Sequence, residues 1–135
     1  MKLLTHNLLK CNKKGVRNGF PLIIKASNIK YDESPYEKSF VSAMIPKLEY
    51  DALIKALAEI RECTEIEGMD KLGSIPMLPL EMPPDCEKHE EFMKQMHTVL
   101  FDLNLLEGQL VCPESGRVFP VNDGIPNMLL NDDEV

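Results

Sequence analysis

Apolar positions along the chain follow two spacings: period two near both ends and a period near 3.6 between them. Near the N-terminal end, Lys2-Leu3-Leu4 and Phe20-Pro21-Leu22-Ile23-Ile24-Lys25-Ala26 read as two strands. Asn12-Lys13-Lys14-Gly15 and Arg17-Asn18-Gly19 between them are turn chemistry. Pro21 has no N–H to give a ladder, which puts the second strand close to a sheet edge. From Tyr31 the period lengthens. Ser34-Pro35 is a helix start with proline at the first helical position, and Phe40, Met44 and Ile45 form the inner face until Pro46 interrupts. A second helix runs from about Tyr50 to Arg61, with Leu53, Ile54, Leu57 and Ile60 on one stripe.

Gly68, Gly73, Pro76, Pro79, Pro83 and Pro84 punctuate residues 62–84, the stretch expected to be most mobile and most variable in length. Asp85 then N-caps a third helix, Glu87 favours its first turn, and the helix runs to Leu105 or Leu106, before Gly108. Phe92, Met96, Val99, Leu100 and Leu103 line its inner face; Glu90, Glu91, Lys94 and Asp102 line the outer one. Met93 and Met96 belong to the core, and His89 and His97 are surface or packing residues with no partner at ligand spacing. Residues 109–112 and 117–121 then form a hairpin around Pro113-Glu114-Ser115-Gly116. A second turn, Asn122-Asp123-Gly124, leads into the apolar Ile125-Pro126-Asn127-Met128-Leu129-Leu130 and an acidic tail. The expected architecture is α+β: one small antiparallel sheet domain built from residues 1–30 and 106–135, carrying an inserted helical domain at 31–105.

Composition narrows the class. Of 135 residues 44% are hydrophobic and 27% charged, a foldable balance with enough chain for one core or two thin ones. No run approaches the ~20 apolar residues of a membrane span, and the first residues turn polar too early for a signal peptide. Four cysteines without an export signal point to reduced thiols or metal. The net charge of −7 is unevenly spread: residues 1–30 carry +7 and no acid, 31–100 carry −8, and 101–135 carry −6. A basic end is either a nucleic-acid arm or the complement of the acidic end. Strands at both termini favour the second.

The candidate chemistry is mostly absence. Cys112-Pro113-Glu114-Ser115-Gly116 has the outline of a metal knuckle, but Ser115 stands where the second thiol belongs. Cys11 has no second thiol beside it either, so no metal is expected; Cys63 and Cys86 are unrelated thiols. There is no glycine-rich phosphate loop, no His-Glu-x-x-His and no G-x-S-x-G, so no active site is visible. What is visible is an apolar edge. Pro120 marks the strand Phe119-Pro120-Val121 as an edge beside Ile125, Met128 and Leu129. These residues either fill the small core or fill it and also receive a partner strand.

The blocks Met1-Lys2-Leu3-Leu4-Thr5-His6-Asn7-Leu8-Leu9, Phe20-Pro21-Leu22, Gly108-x-Leu110-x-Cys112-Pro113-Glu114-Ser115-Gly116-Arg117, Phe119-Pro120 and 124–130 closely resemble the eukaryotic multifunctional methyltransferase subunit family. The resemblance covers both ends strongly and the middle loosely. It implies a zinc-ribbon-like sheet domain with a helical insert, present in cytoplasm and nucleus. It also implies a non-catalytic activator and stabiliser of several S-adenosylmethionine-dependent methyltransferases acting on tRNA, ribosomal RNA and translation release factor. The partner binds the S-adenosylmethionine; this chain binds the partner in a heterodimer, by strand pairing and an apolar patch. The partner-binding residues are then Asn7, Phe119, Pro120, Val121, Ile125, Pro126, Asn127, Met128 and Leu129, with Asn7 and Asn127 meeting backbone groups at the edge. Family members with four zinc cysteines match here only at Cys11 and Cys112, so no cofactor carries over. RNA is met only through the complex. The competing reading is an independent RNA-binding zinc-ribbon-like module.

Overall fold

Leu103 and Leu105 alternate with half-exposed neighbours, and beyond a register shift against the neighbouring strand Leu110 is buried again; this stretch forms the strand around which the molecule is organised. The computed structural model describes residues 1–62, 66–67 and 76–135. Its strands are β1 (Ile23–Tyr31), β2 (Ile66–Glu67), β3 (Leu103–Val111), β4 (Val118–Asn122) and β5 (Ile125–Pro126). They form one sheet in the order β2-β1-β3-β4-β5, antiparallel except where β2 runs parallel to β1. The helices are α1 (Leu3–Leu8), α2 (Lys38–Met44), α3 (Tyr50–Ile60) and α4 (Glu90–His97). Among the described residues no helix is long and apolar enough to cross a membrane.

The N-terminal segment is a helix, not the expected strand. Leu3, His6 and Asn7 lie at i, i+3 and i+4 and are all buried, a spacing only a helix places on one face. His6 Nε2 donates to the Leu22 carbonyl at 2.7 Å, and burial lowers its pKa. Only Lys2 keeps a strand-like bridge, to Asn104. Pro21 precedes β1, after a cis Phe20–Pro21 bond. Strand β3 flanks one side of β1 along its length, and β2 pairs on the other side only at Ile29 and Lys30, so the Pro21 end lies close to a sheet edge as expected.

The helical middle also departs from the pattern in places. Helix α2 begins at Lys38, later than Ser34-Pro35, so Val41 turns inward and Phe40 stays 60% exposed. Asp85 does not cap a helix by its side chain; its backbone is left-handed at φ 52° and a 3₁₀ turn, Cys86–Lys88, precedes α4. Helix α4 passes through a π turn (Thr98–Asp102) and gives way to β3: Leu103 continues the helical stripe, but Leu105, two residues on, fits a strand's period and not a helix's. The expected boundary between residues 105 and 106 therefore falls inside β3.

Asp102, expected on the outer face, is buried. It accepts from Ser34 N–H at 3.1 Å and Ser34 Oγ at 2.5 Å, with His97 Nε2 at 3.5 Å, and so pins the β1–α2 connection. Helix α3 matches its pattern, burying Leu53, Leu57 and Ile60 with Ile54 half-buried, and Met93 and Met96 are fully buried. One apolar cluster runs from Met1 and Leu3 through Met93, Leu105 and Leu110 to Phe119 and Val121. Cys63, Gly68 and Gly73, and with them about half of the stretch expected to be mobile, lie outside the described residues.

Candidate docking surface

The surface is built by two turns and a clasp. At the first turn, Gly116 takes φ 77° and its N–H returns to the Cys112 carbonyl, aligning β4 on β3. The second, Asp123-Gly124, has φ 51° and 77°, the left-handed pair a two-residue hairpin requires, and lays Ile125 beside Asn122 and Pro126 beside Val121. Beyond β5, Asn127 N–H bonds the Pro120 carbonyl at 2.9 Å and Asn127 Oδ1 accepts from Leu129 N–H at 3.1 Å. Ile125 and Leu129 are thereby left 69% and 80% exposed on a backbone anchored at Asn127 and Leu129.

The expected partner-binding residues divide. Ile125, Pro126, Asn127, Met128 and Leu129 come together, lining with Asn122 an open groove of about 580 Å³. Pro120 is exposed on β4, on the same outward side as Asn122. Phe119 and Val121 face the core, 1% and 0% exposed, and reach the surface only from beneath. Strand β4 is itself covered at Val121 and Asn122 by β5, so the outer edge lies at 125–127.

Asn7 is remote in role: its Nδ2 donates to the Glu49 carbonyl and its Oδ1 accepts from Glu49 N–H, both at 3.0 Å. Both amide groups are committed to holding α1 against the start of α3. Asn7→Ala is expected to cost about 1–3 kcal/mol, the price of leaving such groups unpaired. A lower urea midpoint with an unchanged slope would show it.

Residues the sequence did not single out complete the surface. A second groove, about 230 Å³, is lined by Leu8, Leu9, Lys10, Phe119, Met128 and Leu130 among others, and Met128 lines both. Leu8 is 69% exposed. Its position at the end of the Thr5-His6-Asn7-Leu8-Leu9 block was the available signal, but only α1 as a helix turns it outward.

The two chain ends do lie together. Glu114 carboxylate oxygens accept from Arg17 and Asn18 N–H at 2.9 and 3.2 Å, and Lys14 N–H bonds the Glu134 carbonyl at 2.6 Å. Between these loops lie the buried Cys11 and Cys112 thiols, close enough to influence each other's ionisation, with Ser115 N–H donating to Cys112 Sγ at 3.3 Å. Burial pushes the Cys11 thiol up. Burial pushes Cys112 the same way, but hydrogen bonds from Ser115 and Glu114, together with the Cys11 thiol, outweigh it and leave its pKa lowered. A structural zinc site takes four ligands, and two thiols beside a serine hydroxyl do not fit one. Among the described residues no three His, Cys, Asp or Glu side chains are grouped to hold a metal.

Fold and surface together define a small α+β protein whose most distinctive exterior is an apolar segment held out on the last strand of a sheet. The Trm112p-like protein family model matches residues 2–124, and the chain belongs to that family. It is 45% identical to the multifunctional methyltransferase subunit TRM112 homolog A of Arabidopsis thaliana, over all of both chains. It is 44% identical to the TRM112-like subunit of Mus musculus, over 99% of this chain and 98% of that one. The fold resembles a chain of the E. cuniculi Mtq2-Trm112 complex, which is responsible for methylation of the eRF1 translation termination factor. The TM-score is 0.53 at 22% identity, covering 96% of this chain and 95% of that one.

Proposed function

We propose that this chain is a non-catalytic activator and stabiliser subunit of S-adenosylmethionine-dependent methyltransferases acting on tRNA, ribosomal RNA and translation release factor. The observation that carries this reading is the exposed pair Ile125 and Leu129, fixed on an engaged backbone beside an open strand edge. The full-length likeness to methyltransferase subunits in plant and mouse supports it. The partner adds a strand at 125–127 and buries its own apolar surface on the two grooves flanking Met128. Because this chain binds the folded partner and not the unfolded one, it stabilises the partner by mass action. One surface serves every partner, so they compete for it. The partner supplies the S-adenosylmethionine site; the zinc-ribbon-like sheet works without metal, and RNA is met through the complex. The complexes act in cytoplasm and nucleus.

Co-expression tests the reading. A release-factor methyltransferase made with this chain is expected to be soluble and active, and made alone to be insoluble or inactive; this chain alone transfers no methyl group. Free-standing RNA affinity with a steep salt dependence, and no gain for the enzyme, would support the independent RNA-binding module instead.

A further inference from the structure

The docking segment is held by something other than its own secondary structure. Between β5 and the 3₁₀ turn Asp132–Glu134 no regular element fixes the backbone that presents Leu129. Arg117, at the start of β4, does so. Its Nε donates to Glu134 Oε2 at 2.7 Å and its Nη2 to Glu134 Oε1 at 3.1 Å, a two-point pairing of guanidinium with carboxylate. Nη2 also reaches the Leu129 carbonyl at 3.3 Å, and Nη1 donates to the Val118 carbonyl. The guanidinium carbon lies 4.9 Å from the centre of the Phe119 ring, so the plane rests on the core.

Glu134 is held in turn. Its Oε1 accepts from Asn131 N–H at 2.9 Å, closing a capping box, and its backbone carbonyl accepts from Lys14 N–H. The carboxylate is buried, which a terminal glutamate is only when paired. One side chain therefore ties β4, the Leu129 backbone and the acidic tail together, and none of its atoms belongs to either docking groove.

We infer that Arg117 is a positioning residue for partner capture: paired with Glu134, it holds Leu129 and its neighbours in the bound conformation before any partner arrives. This rests on the docking reading above and extends it to a residue the partner does not touch. Ordering such a segment at the moment of binding weakens association; ordering it beforehand removes that cost. The acidic tail is then the second half of the latch, not only a solvated end.

The test uses the full chain and its release-factor methyltransferase, with Arg117→Met, Glu134→Gln and the surface variant Ile125→Asp/Leu129→Asp. Arg117→Met keeps an apolar stem over Phe119 and removes the latch; Glu134→Gln removes only its charge. Both are expected to weaken capture roughly tenfold to a hundredfold, as loss of a charge-assisted pair does. In the free chain, amide exchange should quicken at residues 129–131 and stay unchanged at Leu105 and Leu110. Wild-type affinity in both latch variants, while the surface variant fails to bind, overturns this inference alone. A loss of affinity accompanied by faster exchange throughout β3 also overturns it, because the effect is then global. Retained affinity in the surface variant overturns the docking reading itself, and this inference with it.

Discussion

Ile125→Asp/Leu129→Asp is expected to weaken methyltransferase capture by at least ~100-fold while leaving the chain's own thermal midpoint almost unchanged. The two side chains are 69% and 80% exposed in the free chain, so replacing them removes almost no internal packing. In the complex each would be covered, and full burial of a leucine or isoleucine side chain contributes roughly 1.5–3 kcal/mol. Scaled to the surface each still exposes, losing both amounts to roughly 2–4.5 kcal/mol, a range that spans the ~2.7 kcal/mol of a hundredfold change. The aspartates add a further penalty, since each carboxylate would enter an apolar contact without a partner. Calorimetric titration of purified partner into each chain measures the affinity, and a circular dichroism melt measures the fold. If the variant melted like wild type and bound within about threefold of it, no leucine-sized contact would have been lost, and Ile125 and Leu129 would not be the docking pair.

The C-terminal half of this surface was legible because its turns are specified locally. Asp123-Gly124 demands positive φ and so fixes the hairpin, and the apolar run after it is too exposed in pattern to belong wholly to a small core. The alternation of β4 also separated Phe119 and Val121 from Val118 and Pro120, but period two tells which residues share a face and not which face is inside. That depends on distant segments of the shared core, and Leu8 and Leu9, which line a groove with Phe119, lie more than a hundred positions away along the chain. Distance along the chain also hid the partner of Asn7, whose amide is satisfied by Glu49, and the burial of Asp102, which Ser34 completes. The N-terminal helix was missed for a different reason. Leu3-Leu4 fits either period, and the deciding residues, His6 and Asn7, are polar groups buried by hydrogen bonds that no hydropathy pattern registers.

The same division gives Phe119 a prediction opposite in kind to that of Ile125 and Leu129. Phe119→Ala removes a ring that is 1% exposed, packed in the shared core and carrying the Arg117 guanidinium on its face. The expected cost is about 3–5 kcal/mol, from lost transfer energy plus the cavity left behind. For a chain of this size that lowers the thermal midpoint by on the order of 10–20 °C. Capture of the methyltransferase should then fail through unfolding: near wild type at low temperature, collapsing as the variant melts. Affinity measured from 10 to 40 °C beside the melting curve separates the cases. A contact residue would lower affinity by the same factor at every temperature with the midpoint preserved, and that outcome would place Phe119 on the partner's side of the surface. A phenylalanine beneath the sheet ties affinity to the folded fraction, because what it supplies to the partner is the floor on which Arg117, Met128 and the docking segment rest.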